Sequence, residues 1–169
     1  MKKIFWLGAI ALLWIYGSAF MSLGDRGVIS YLDTWERYSL EGDADGICKL
    51  MHDELEFSID DRTTPGRPLD MQGGKAQLCD YYAQVVPAMK HIVSGMTVRR
   101  EDVEVKRDWL HPWTVEVSYN EQRSVSIVGI PMQVKTVGED RLTLVKTLTD
   151  GVKIKALDAK TRMARSEAI

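Results

Sequence analysis

After His91 the chain alternates. Val103 and Val105 sit between charged neighbours, Trp113, Val115, Val117 and Tyr119 interleave with Thr114, Glu116 and Ser118, and Val125 and Ile127 continue the habit. A period of two puts successive side chains on opposite faces, so this stretch specifies half-buried β-strands and excludes helix. Gly129 and Pro131 interrupt it, which predicts a bulge or an edge irregularity. Leu142, Leu144 and Leu148 then lead into Asp150-Gly151, the strongest hairpin signal in the chain, and Val152, Ile154 and Ala156 answer on the return strand.

The cover for such a meander lies upstream. Val28, Tyr31, Leu32, Trp35 and Tyr38 recur at three-and-four spacing, with Asp33, Glu36, Arg37 and Glu41 on the other face, which predicts an amphipathic helix. Gly42 is its expected stop. Asp43 and Asp45 are placed to cap a second short helix carrying Ile47, Leu50 and Met51. Leu55 to Asp60 alternates as a strand, and Asp61 to Arg67, with Thr-Thr-Pro-Gly, reads as a loop. After Gly73-Gly74 a third helix buries Leu78, Tyr82, Val85, Val86 and Met89, with Pro87 expected to end or kink it. Helices segregated from a run of strands specify an α+β domain with the helices on one face of a curved antiparallel sheet. Its bounds are 25–162, and 163–169 is a polar tail.

Ahead of this domain, Met1-Lys2-Lys3 precedes an apolar run from Ile4 to Ile15, the pattern of an export signal or of an N-terminal hydrophobic helix. Gly17-Ser18-Ala19 offers a cleavage site after Ala19. Phe20, Met21 and Leu23 instead extend the run toward the ~20 residues that span a bilayer. Residues 1–23 are therefore a signal peptide or a membrane anchor, the membrane being engaged through residues 4–23 if they stay attached. Lys2 and Lys3 keep the N-terminus cytoplasmic, so the domain is expected in the periplasm or tethered to the inner membrane from outside. With those two lysines set aside, the 22 basic and 24 acidic side chains become 20 against 24, a net of about −4. That balance argues against a nucleic-acid partner, whose phosphates need a basic face. Cys48 and Cys79 lie in the exported part, where they form either a bridge closing a loop of about thirty residues or two buried thiols.

Gly42-Asp43-Ala44-Asp45-Gly46-Ile47, followed by Leu50-Met51, Asp53 and an alternating strand, resembles the opening of nuclear transport factor 2-like proteins, in their SnoaL-like and ketosteroid-isomerase-like branches. Gly73-Gly74-Lys75-Ala76 leading to Leu78 and Tyr81-Tyr82 is similar to that superfamily's third helix. The resemblance covers roughly residues 25 to 160. It implies a cystatin-like cone, a strongly curved sheet wrapped around the long first helix, with an apolar pocket between them. It also implies dimerisation through the open sheet face, where Val125 and Ile127 would serve.

For activity the resemblance points the other way. Aligned on Gly42-Asp43, Trp35 stands where the isomerases have a tyrosine, Ile59 where they have the base, and Arg141 to Thr149 offers no acid. Asp60 is one residue off and so faces away. His52, His91 and His111 sit at element ends and share no metal-ligand spacing, and no phosphate loop or nucleophile elbow is present, so neither metal nor cofactor is implied. Trp35, Tyr38, Phe57, Ile59, Tyr82 and Trp113 are the candidate pocket residues. The sequence reading is thus a non-catalytic domain that binds a small apolar ligand or an envelope protein partner, with homodimerisation. Its rivals are a lyase or isomerase using Tyr31, Tyr38 or Asp60, and a structural subunit of an envelope complex.

Overall fold

The computed structural model describes residues 17–18, 21–64, 66–129 and 133–164. The elements, in chain order, are α1 (Asp25–Glu41), α2 (Ala44–Lys49), β1 (Met51–Arg62), β2 (Leu69–Gly74), α3 (Lys75–Ile92), β3 (Val93–Arg107), β4 (Thr114–Ile127), β5 (Gln133–Lys146) and β6 (Val152–Met163). The export or anchor segment and the end of the polar tail lie largely outside these residues. No helix among the described residues is long and apolar enough to cross a membrane.

Local chemistry sets the helix ends. Gly42 takes a left-handed conformation (φ 76°) that turns the chain out of α1, and its N–H returns to the Tyr38 carbonyl. Asp43 then caps α2 by accepting the Gly46 N–H at 2.8 Å. Gln77 reaches back to accept the Gly74 N–H at 3.2 Å where α3 begins. Pro87 does not end α3, which continues to Ile92. Val86 is buried just before the proline and Met89 is half-buried just after it, so packing on both sides outweighs the lost N–H.

All six strands form one curved sheet in the order β2-β1-β6-β5-β4-β3. Every pairing is antiparallel except β1 with β6, which is parallel. The alternation fixes which face of each strand is buried but not which strand it joins, so this pairing was not foreseen. The sequence reading also missed β2, which occupies the end of the segment after the Pro-Gly loop. Gly129 (φ 78°) falls in the β4–β5 connection, so the expected bulge there is a turn. Real irregularities occur in β3 between Glu101 and Glu104, with Asp102 at φ 53°, and between β5 and β6 at Thr143/Leu144. Such offsets bend strands and let the sheet wrap α1.

The core lies between α1 and the sheet. Val28, Tyr31 and Leu32 of α1 pack with Ile47, Met51, Leu55, Phe57, Leu78, Val115, Val117, Leu144 and Ile154, all buried. Tyr31 donates its hydroxyl to the Leu50 carbonyl at 2.7 Å, so it is a satisfied core tyrosine and not a pocket acid. Cys48 and Cys79 form a disulfide between α2 and α3, with Cα atoms 5.6 Å apart.

Candidate functional site

On the face that looks toward the helices, the inward series of β4 and β5 change character partway along. Val115, Val117, Leu142 and Leu144 are apolar and packed; the next inward positions are Tyr119, Glu121 and Arg123 on β4 and Asp140 on β5. These line a chamber of about 370 Å³. Its other wall is apolar and aromatic: Trp35 from α1, Tyr81, Tyr82 and Met89 from α3, Met96 and Val98 from β3. Trp35 meets Tyr82 edge to face with ring centroids 5.7 Å apart. An apolar body beside a few convergent polar groups is the usual make-up of a small-molecule site.

Asp140 stands directly across from Tyr119 in the β4–β5 ladder and is only 8% exposed. Burial, and then the negative charge of Glu121, push its carboxyl up to about 6; Arg123, the Tyr119 hydroxyl and Arg100 act in the opposite direction without cancelling them. Glu121, 6% exposed, is ion-paired with Arg123 and lies 4.0 Å from Arg100 Nε. Arg100 in turn ties the sheet to α1, through Asp33 at 2.9 Å, Glu36 at 2.6 Å and the Leu32 carbonyl at 3.3 Å. Its buried Nε has no hydrogen-bond partner among the described residues. Burial raises the phenols of Tyr119 and Tyr82 above their ordinary value, so both remain protonated donors at neutral pH.

The arrangement separates two carboxylates by environment. Glu121 has arginine partners; Asp140 has no ion pair within 4 Å among the described residues and keeps an affinity for its proton into the neutral range. A carboxyl poised in this way can take up a proton and return it near neutral pH. The opposite sheet face also holds a broad concavity of about 840 Å³, lined in part by Glu56, Glu104, Lys106, Glu116 and Arg141. Those side chains stand in water.

Of the six candidate pocket residues, Trp35, Ile59 and Tyr82 line the chamber. Phe57 is buried in the core, Tyr38 packs outside the chamber beneath the Arg37 guanidinium, and Trp113 sits in the loop before β4, where its carbonyl accepts the Lys146 N–H. Asp60 points to the outer face and bonds Arg62 at 2.5 Å. Of the histidines, His91 is exposed on α3, His52 accepts the Glu54 N–H, and His111 bonds Asp108 at 2.7 Å; none lines the chamber. Val125 and Ile127 share the inward parity of Tyr119, so they are half-buried at the far end of the concave face and do not sit on the open one.

Asp140 and Glu121 were missed, and with them the premise that the pocket lacks an ionisable group fails. The signal was in the alternation: Val115, Val117, Tyr119, Glu121 and Arg123 share one parity, as do Leu144, Leu142 and Asp140. Charged residues on an inward parity mark a site.

No protein-family model matches the chain, and no curated protein matches it. Solved structures do. A candidate scytalone dehydratase from Novosphingobium aromaticivorans superposes with a TM-score of 0.60 at 12% identity, over 85% of this chain and 87% of that one. A nuclear transport factor 2-like superfamily protein from Salmonella enterica serovar Typhimurium gives 0.58 at 11% identity, over 85% and 96%. A ketosteroid isomerase-like protein from Erwinia carotovora atroseptica gives 0.53 at 14% identity, over 78% and 91%. At these identities the likeness is one of fold, and it agrees with the mixed sheet, the enclosed helix and the chamber between them. The chain therefore has the cone fold of the nuclear transport factor 2-like superfamily.

Proposed function

We propose that this chain is a proton-transfer enzyme, a lyase or isomerase, with Asp140 as the group that removes and returns the proton. The observation that carries this reading is a buried carboxyl, raised to about 6, lining a chamber large enough for a small ring compound. In its ionised form Asp140 would take a proton from carbon next to a carbonyl. Tyr82 and Arg123, which line the same chamber, supply donors for the oxygen on which charge then develops. Trp35, Met89, Met96 and Val98 would hold the substrate's apolar part and keep water from the reacting carbon. Dehydratase and isomerase names among the structural neighbours agree with this class of chemistry. We place the domain outside the cytoplasm, delivered or held there by residues 4–23.

The test is a panel of cyclic β-hydroxyketones and β,γ-unsaturated ketones incubated with the full chain in deuterated buffer. Mass spectrometry follows water loss, isomerisation and deuterium uptake. The expected result is turnover of at least one member that Asp140→Asn lowers by a factor on the order of 10² to 10⁴. Turnover unchanged in the variant, or none from a folded wild-type protein, would remove the proposal.

A further inference from the structure

Among the described residues the four most exposed large apolar side chains lie at one end of the domain, and it is the end where the chain enters α1. Trp109 (84% exposed) and Leu110 stand in the β3–β4 loop, and Leu148 (87% exposed) stands in the β5–β6 hairpin. The two loops are neighbours: Thr114 pairs with Val145, and the Lys146 N–H donates to the Trp113 carbonyl at 2.8 Å. Met21, also mostly exposed, precedes α1, whose start is fastened to the same end by Arg107, bonded to Asp25 at 2.7 Å and to the Leu23 carbonyl at 3.5 Å. Behind these tips lie Lys106, Arg107, His111, Lys146 and Lys153, interleaved with Asp25, Asp108 and Asp150. Single exposed apolar residues are ordinary, as Leu40, Ile92 and Val128 are at the other end, but the four most exposed gathered at one end mark a contact surface.

What covers them follows from the sequence just upstream. Ile4 to Ile15 is uniformly apolar and the run extends to Leu23; read as a retained anchor, it brings the chain out of the bilayer within a few residues of Met21. We infer that Trp109, Leu110 and Leu148 dip into the lipid surface from which the chain emerges, so that the domain is seated on the bilayer by its loops as well as joined to it by its N-terminus. Tryptophan favours this depth because its ring is apolar and its N–H wants water, and lysines behind the tips meet the headgroups. The seating also orients the chamber. Met96, Arg123 and Thr161, which line it, lie toward the opposite end of the sheet, so its substrate would be taken from the aqueous side.

The inference is independent of any chemistry in the chamber. Its test uses the full chain in vesicles of phosphatidylethanolamine with a minority of phosphatidylglycerol. Leu148→Cys carries a nitroxide label, and Val128→Cys, exposed at the opposite end of the sheet, carries the same label as a reference. Power-saturation spectroscopy then compares collisions with oxygen, which concentrates in lipid, and with a water-soluble nickel chelate. The expected result is an oxygen-to-nickel collision ratio several-fold higher at 148 than at 128, falling toward the 128 value when Trp109→Ser and Leu110→Ser are added. Equal ratios at the two positions would overturn the inference. So would a label at 148 shielded from both reagents, because that places another protein copy on the surface instead of lipid.

Discussion

Tyr119 and Asp140 face each other across β4 and β5, and burial together with the charge of Glu121 holds the proton on Asp140 up to about pH 6. The geometry is a property of the ladder: neither side chain can leave the inward face without shifting the register of a whole strand.

Asp140 therefore acts against stability at the pH where it would act in catalysis. Its carboxyl is raised from 3.8 to about 6 by folding, so the folded protein binds the proton more tightly than the unfolded chain does. The resulting stabilisation is complete below about pH 4 and is lost as pH rises through about 6, an effect on the order of 3 kcal/mol. Asp140→Asn should flatten this dependence and leave the variant more stable than wild type above pH 7. Urea unfolding of both proteins at a mildly acidic and a mildly alkaline pH measures it, and a variant less stable at both would contradict the expectation.

Glu121 sets where Asp140 titrates. Its charge is the second largest cause of the upward shift, so Glu121→Gln should lower the Asp140 midpoint, read by carbon-13 NMR of the side-chain carboxyl. Arg123 and Arg100 lose a partner in the same variant. The stability cost should fall below the ~3–5 kcal/mol of a fully buried broken pair, since Arg123 is partly in water.

The disulfide should matter for persistence and leave chemistry untouched. Cys48 and Cys79 are 31 residues apart, and removing both as alanines relaxes the unfolded chain by about 3–4 kcal/mol. The double variant should unfold at lower denaturant with Asp140 titrating where it did before. A moved titration would mean that α3 shifts when the bond is lost.

Tyr31→Phe separates core from site. The lost hydroxyl removes one of two donors to the Leu50 carbonyl, the other being the Ile154 N–H at 2.9 Å. The cost should be about 1 kcal/mol, with any turnover unchanged. A large loss of turnover would return Tyr31 to the candidate catalytic groups.

How far the residues announced this outcome depends on which property is asked for. Periodicity gave α1, α3 and the strands of the meander, because burial on one face writes itself directly into the order of Val28, Tyr31 and Leu32 or of Val115, Val117 and Tyr119. It could not give β2: Leu69 and Met71 alone alternate there, between a Pro-Gly loop and two glycines. Nor could it give the partner of β1, since the parallel pairing with β6 depends on the path of the whole chain. Half the pocket set failed for a related reason. Phe57 has the same parity as Ile59 but packs deeper in the cone, and Tyr38 leaves the chamber one turn after Trp35. The acids are legible in the phase of the alternation. Glu121 and Asp140 keep the inward phase, and they carry the site.

The position of β6 between β1 and β5 has a further consequence for how such a chain comes into being. The strand made last is the one that links the first two to the other three, so a chain halted before residue 152 holds two sheet fragments with no hydrogen-bonded seam between them. Biosynthesis must run to its end before the domain can close. Until then the two fragments are held together only by side-chain packing and the connecting chain.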